Sequence, residues 1–150
     1  MATKPKTAAF HHMVVEIETE TPGTYAKICG LTSRGINRQH NMNTSEVPQD
    51  CDDESLPAAV ERSVQSSEVT ISGSGVWAAQ SHEQMLDWWY SGATKKVRVN
   101  HVNAAVGDTE YETGDAYLVS ISNQAEKGPK VTAEISIEFD GLPTRTPKAP

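Results

Sequence analysis

The stretch SSEVTISGSGVWAAQSHEQMLDWWYSG, residues 66–92, predicts a strand followed by a helix and so decides the type of fold. From residue 67 to 77, apolar side chains and glycines alternate with serine, threonine and glutamate, which is the pattern of a strand with one buried face. Gly73 and Gly75 fall on the buried face and, having no side chains, leave space above it. We therefore expect a helix to pack against that face.

The second half of the stretch has the start and stop signals of a short helix. Ser81 and Gln84 have the spacing of an N-terminal capping box, and Gly92 stands where a helix commonly ends. Apolar side chains recur at helical spacing between these signals, and burying each one is worth about 1.5 to 3 kcal/mol. The residues predicted to form the core between helix and sheet are Trp77, Met85, Leu86 and Trp89.

Strand patterns predict further strands over residues 12–20, 95–102, 116–123 and 130–141, and a less regular segment without a helical face is also predicted to be a strand, over residues 24–31. The predicted inward-facing side chains of the last three are Val97, Val99, Tyr117, Val119, Ile121, Val131, Ala133, Ile135, Ile137 and Phe139. Several strands with one helix among them indicate a mainly β protein, a sandwich or barrel flanked by a single helix.

The predicted organisation is one domain, because 150 residues is the usual size of one. Residues 1–11 are interpreted as a flexible N-terminal segment, 12–142 as the domain and 143–150 as a proline-containing tail. Residues 37–66 are polar and are predicted to be a long loop, which in a compact domain is usually functional or disordered.

The charge disfavours tight binding of nucleic acid. The net charge is −7, and Lys4, Lys6, Arg145 and Lys148, four of the thirteen basic residues, lie in the tails. The body is therefore more acidic still, and it should repel the phosphates of DNA. Mean hydropathy is −0.51, and the sequence has no apolar run long enough for a signal peptide or a membrane span. We expect a protein made in the cytoplasm that does not contact membranes.

No motif in the sequence predicts catalysis or a bound cofactor. Adjacent His11 and His12 point to opposite sides of an extended chain and so do not suggest a metal site, and the acidic stretch 50–54 lacks the order of a calcium loop. Cys29 and Cys51 have no metal-binding or redox spacing; free thiols are favoured, with a disulfide between them as the less favoured alternative.

Residues 51–77, the following short helix with its tryptophans, KKVRVN at 95–100 and residues 114–141 occur in an order that resembles the tail tube, or major tail, proteins of bacteriophages and gene transfer agents. The resemblance covers roughly residues 12–142. It implies a β-sandwich with one flanking helix and six-membered rings stacked into a hollow virion tail tube. It also implies contacts with tape measure, tail terminator and baseplate or tail-tip proteins, with a sheath if the tail is contractile, and passage of double-stranded DNA without specific binding.

The residues themselves suggest where such contacts lie. Glutamates opposite the apolar faces of the first and last strands are predicted to line the lumen, and the acidic part of the polar loop is predicted to join neighbouring rings. The lumen candidates are Glu16, Glu18, Glu134 and Glu138, and the ring-contact candidates are Asp50, Asp52, Asp53 and Glu54. The helix is expected to cover one sheet face and leave the other for the lumen.

Two alternative functions fit the sequence. Tube proteins of type VI secretion and other contractile injection systems share the fold that the resemblance implies. A β-sandwich binding module, such as an adhesin, is the other alternative, and it would expose at least two of the three tryptophans. An enzyme would need a pocket with perturbed titratable groups, which no motif here indicates.

Overall fold

A computed structural model describes residues 3–150. These residues form one antiparallel sheet of eight strands and one α-helix, which confirms the mainly β prediction. The strands are β1 (Met13–Glu18), β2 (Tyr25–Lys27), β3 (Leu31–Val47), β4 (Ala59–Val76), β5 (Lys95–His101), β6 (Thr109–Gln124), β7 (Thr132–Phe139) and β8 (Thr144–Pro147). The helix α1 is Ala79–Ser91, and a short 3-10 turn spans Phe10–His12.

The sheet has the strand order β2-β1-β5-β6-β7-β4-β3, with β8 paired to β6 outside this path. Strand β6 is long enough to belong to two halves of the sheet. Its residues 111–116 pair with β5, and its residues 116–124 pair with β7. We call β2, β1, β5, β8 and the first half of β6 half-sheet A, and the second half of β6 with β7, β4 and β3 half-sheet B.

The two halves enclose the core. Strands β1, β4, β5, β6 and β7 contribute side chains to it from one face, as period-2 alternation requires, and Ile28 and the helix complete it. The buried cluster consists of Val15, Ile17, Ile28, Val69, Ile71, Met85, Trp88, Val97, Val99, Ala116, Leu118, Ile135, Ile137 and Phe139. Arg38 of β3 reaches across the open end of this sandwich and donates to both carboxylate oxygens of Glu112 on β6, at 2.7 and 2.8 Å.

The predicted inner faces of β5 and β7 are confirmed, apart from Val131, which precedes β7 and is exposed. The predicted inner face of β6 is wrong in its first part: Tyr117 and Val119 are exposed, and Ala116 and Leu118 are buried instead. A register shift between Leu118 and Ser120 explains the error, because Val119 is an extra residue that breaks the alternation. Beyond the bulge, Ile121 packs against the core as predicted.

The helix differs from its prediction at the start. It begins at Ala79 with Ala78 as N-cap and no side-chain cap, and Ser81 is buried within it. It ends at Gly92 in the left-handed conformation, as predicted. Trp88, not Trp89, enters the core, because Met85 and Trp88 share the inner face at a spacing of three residues.

The contacts of the strand glycines also differ from the prediction. A Cβ on Gly73 would meet the Leu31 side chain, and one on Gly75 would meet the carbonyl oxygen of Gly30 and the nitrogen of Thr32 at 2.7 Å. The start of β3, rather than the helix, therefore occupies the space that these glycines leave. The helix packs instead beside β6.

The predicted long loop at 37–66 is wrong, because β3 and β4 continue as a paired ribbon over most of it. Only residues 48–58 connect the two strands. The prediction failed because both faces of the ribbon are exposed, so its sequence does not alternate between apolar and polar residues as a half-buried strand does. The predicted C-terminal tail contains β8, which pairs with the start of β6. The predicted flexible segment 1–11 falls partly outside the described residues; residues 3–9 are neither helix nor strand.

Candidate assembly surfaces and lumen face

The outer face of half-sheet B is a broad surface of small polar and acidic side chains, which we call the polar face. Three cross-strand rows form it on β4, β7 and β6: Thr70–Glu138–Tyr117, Ser72–Ser136–Ser120 and Ser74–Glu134–Ser122. The only ionisable carboxylates in these rows are Glu134 and Glu138, which are exposed and four residues apart, or about 13 Å along the strand. The rows contain no lysine or arginine.

Glu16 does not lie on this surface, so its prediction as an exposed lumen residue is wrong. It lies on half-sheet A with 7% of its surface exposed, and its carboxylate accepts hydrogen bonds from Arg98 at 3.0 Å and Asn100 at 3.1 Å. Glu18 is half-buried at the end of the same strand and accepts a hydrogen bond from the Gly23 amide at 3.4 Å. The four predicted glutamates therefore divide between two surfaces that face away from each other.

Arg98 forms the centre of a packed polar cluster that no sequence pattern indicated. Its guanidinium lies between the rings of Tyr25 and Tyr111, 4.2 and 4.3 Å from their centroids. Burial raises the pKa of Tyr111 above its ordinary value of 10.0, and the neighbouring Glu110 raises it further. This cluster joins β1, β2, β5 and β6 and stabilises half-sheet A.

Half-sheet B has two open edges in the part of the chain that the structure describes. One is β3, the last strand of the sheet order. The other is the second half of β6: Ala116 pairs with β5 on one side and β7 on the other, but residues 117–124 have a strand partner on the β7 side alone. Such edges present unpaired amides and carbonyls that another strand can pair with.

The helix partly covers the open edge of β6. The indole Nε1 of Trp89 donates a hydrogen bond to the carbonyl oxygen of Val119 at 3.3 Å. The ring of Tyr90 lies edge-on to Trp89 with centroids 5.1 Å apart. Trp89, Tyr90 and Val119 are 45%, 77% and 47% exposed, and we call them the aromatic patch. The prediction that Trp89 is a core residue is thus wrong.

The other predicted core residues of the helix region are closer to expectation. Met85 is fully buried, Trp77 is half-buried against the core, and Leu86 is half-buried. The Trp77 ring packs edge-on against His82 at 4.8 Å. These contacts hold the helix against the sandwich.

The ribbon of β3 and β4 extends beyond the rest of the sheet. Strand β4 pairs with β7 only from Thr70 to Val76, so residues 39–68 project as a two-stranded hairpin that we call the arm. Nine residues of extended chain in its first strand give it a length of about 30 Å. On one face, Met42 pairs with Val64, Thr44 with Arg62, and Glu46 with Val60. Met42, Val60 and Val64 are about half exposed and form what we call the arm stripe.

The tip of the arm carries the predicted ring-contact residues. Asp50, Asp52, Asp53 and Glu54 are all exposed in the connection at 48–58. The Asp53 carboxylate accepts hydrogen bonds from the hydroxyl and the amide of Ser55, and these bonds lower its pKa. The Asp50 carboxylate similarly accepts from the Asp52 amide at 2.9 Å. These turns shape the tip, and whether it contacts another ring stays a prediction.

The two cysteines do not form a disulfide. Cys29 lies before β3 and Cys51 lies at the tip of the arm, and both are exposed free thiols. Among residues 3–150, no group of three or more histidine, cysteine or acidic residues is arranged to hold a metal ion. Within the same range, the one α-helix is too short and too polar to cross a membrane.

The fold and its open edges place this protein in the class of mainly β sandwich proteins with one flanking helix. Comparison with known proteins identifies the family. Residues 7–145 match the family model described as "phage tail tube protein", so this chain belongs to that family. It is a structural protein of the virion tail, as the resemblance predicted. No curated protein sequence matches the chain.

Solved tail structures share the fold at low sequence identity. The tail of an empty gene transfer agent particle, determined with C6 symmetry, matches with a TM-score of 0.74 and 17% identity over 93% of this chain and 99% of the other. The virion of a native gene transfer agent matches at 0.69 and 16% identity, with the same coverage. The SPP1 tail tube matches at 0.70 and 12% identity over 96% of this chain and 81% of the other.

Proposed function

We propose that this protein forms six-membered rings that stack into a hollow tail tube, with the polar face towards the lumen. The observation that carries the proposal is the pair of open edges on half-sheet B. Strands β6 and β3 run in opposite directions, since three antiparallel pairings separate them. The β3 edge of one copy can therefore add to the β6 edge of the next as an antiparallel strand.

A ring joined in this way continues half-sheet B from copy to copy, so one face of every copy points inward. The polar face suits this position, because serine and threonine bind water well and Glu134 and Glu138 repel phosphate. The opposite face of half-sheet B is the core and cannot line a channel. Six copies are proposed from the C6 symmetry of the similar gene transfer agent tail.

The proposed role needs no catalytic chemistry, so we assign the protein no enzymatic activity. Double-stranded DNA is the proposed cargo, in transit rather than bound. We propose that the acidic arm tip reaches the next ring, and that the tube ends contact the tape measure, terminator and tail-tip or baseplate proteins. A binding module would expose at least two tryptophans, but only Trp89 is exposed here.

Negative-stain electron microscopy of the purified protein at high concentration tests the proposal. Rings with a central hole, or tubes built from them, are the expected result. A comparison variant places proline at Ser122, which is exposed on the β6 edge and does not pack in the core. Proline lacks the amide hydrogen that an added strand needs, so this variant should keep the circular dichroism spectrum of the folded subunit and form no rings. A wild-type protein that stays monomeric at every concentration would contradict the proposal.

A further inference from the structure

We propose that the aromatic patch of one copy is the docking site for the arm stripe of the neighbouring copy in the same ring. This inference rests on the proposed ring and identifies a second contact within it. Both surfaces are apolar, exposed and without a partner in the described residues, and together they comprise Met42, Val60, Val64, Trp89, Tyr90 and Val119. Exposed apolar surface of this kind typically marks a protein contact.

The sheet edges determine which copy reaches which surface. Residues 31–38 of β3 precede the arm. If this part of β3 in one copy pairs with residues 120–124 of β6 in the next copy, the arm continues in the strand direction past Val119 of that copy. At Val119 no strand can pair in the usual way, because the Val119 carbonyl oxygen already accepts a hydrogen bond from Trp89 Nε1. The arm must then pass directly over the C-terminal end of α1.

The side of the arm that carries the stripe agrees with this path. Met42 lies two and four residues from His40 and Arg38 on β3. The register shift between Asn41 and Met42 adds Gln65 to β4 but no residue to β3, so the alternation of β3 continues and all three side chains share one face. Arg38 points across the sandwich to Glu112, which shows that this face is the core side of half-sheet B. The helix enters the core on the same side through Met85 and Trp88. The arm stripe therefore faces the helix side and not the polar face.

The charges near the two surfaces are complementary. Arg62 lies on the stripe face of the arm, between Val60 and Val64. On α1, the exposed Asp87 precedes Tyr90 by three residues, so the two lie on one helix face. A guanidinium placed there can pair with the carboxylate and stack on an aromatic ring. The same face also carries one anion, Glu46, which lies nearer the tip than Met42 and Val64 do. The occupant is therefore a second copy of this chain, bound through the arm stripe with Arg62 as the cation next to Met42 and Val64.

Cysteine cross-linking in assembled tubes tests the inference. The parent carries Cys29→Ser and Cys51→Ser, and the test variant adds Met42→Cys and Tyr90→Cys, which form a disulfide only if their Cα atoms approach within about 7 Å. Under oxidation we expect a ladder of covalent oligomers that ends at one ring. The matched control has Asn43→Cys with Tyr90→Cys, because residue 43 lies on the other face of the arm; its cross-linking should be at least tenfold slower.

The outcomes separate this inference from the proposed ring. Tubes without the 42–90 cross-link, or with equal linking through position 43, would overturn the docking site and leave the ring in place. Cross-links that continue beyond one ring would place the contact between rings and also overturn the docking site.

A second measurement uses no cysteine variants. Met42→Ser and Tyr90→Ala should each raise the concentration needed for assembly about tenfold, and the double variant should need a concentration little higher than either single variant. Independent effects that multiply to about a hundredfold would contradict a direct contact.

Discussion

Glu16 and Arg98 lie directly opposite each other on β1 and β5, and the Glu16 carboxylate accepts a hydrogen bond from Arg98 Nη2 at 3.0 Å. Their side chains are only 10% and 23% exposed. A carboxylate on this strand therefore stabilises the subunit, although its alternation with apolar residues suggested a solvent-facing role. Breaking a buried pair by removing one partner leaves the other charge uncompensated, which is costly.

We expect Glu16→Ala to lower the free energy of unfolding by about 3 kcal/mol, near the lower end of the range for buried pairs because the site is not fully enclosed. Urea unfolding of the monomer measures this change. Glu134→Ala is the matched control and should change stability by less than about 0.5 kcal/mol, since that side chain is exposed. Equal effects at the two positions would show that Glu16 is not paired in solution.

The two adjacent tryptophans of α1 should respond very differently to truncation. Trp88 is 2% exposed and Trp89 is 45% exposed. Trp88→Ala is expected to cost about 3 to 5 kcal/mol, the usual loss for a large buried aromatic side chain. Trp89→Ala should cost less than half as much, because it removes one hydrogen bond and a half-exposed ring. Thermal unfolding of each variant provides the comparison, and a larger loss at Trp89 would mean that the helix is rotated from the orientation described.

Shortening the arm tip should separate folding from assembly. Replacing the whole connection, residues 48–58, with Asn-Gly removes the acidic tip and joins the paired residues Val47 and Ala59 by a two-residue hairpin turn. The buried cluster includes no residue of the arm, so the monomer should keep its melting temperature within about 2 °C. If the tip joins neighbouring rings, single rings should form without stacking, and sedimentation velocity would show this as a loss of long polymers. Tubes of normal length from this variant would exclude the tip as the contact between rings.

The sequence predicted those parts of the fold where a strand has one buried and one exposed face. Ala133, Ile135, Ile137 and Phe139 followed this rule, and so did Val97 and Val99. It failed where a bulge at Val119 shifted the alternation and where the arm left both faces exposed, because neither leaves a period-2 signal. Side-chain pairing across strands is also invisible in one sequence, so Glu16 looked the same as Glu134.

The last prediction concerns the charge of the proposed lumen, which rests on Glu134 and Glu138 on the polar face. Six copies would place twelve carboxylates in each ring, and at physiological salt the Debye length of about 8 Å lets this charge act on DNA near the wall. Changing both to lysine should leave the subunit folded, since both side chains are exposed, but assembled particles should retain DNA at low salt. Raising the salt should release the DNA, because counterions compete with lysine for phosphate.

The matched control for this prediction is Glu20→Lys with Glu83→Lys, which changes the net charge equally at exposed positions on and beside the helix. The measurement is the amount of DNA retained by purified particles. Normal DNA release by the Glu134 and Glu138 variant at low salt, or equal DNA retention by the control, would show that the polar face does not line the passage.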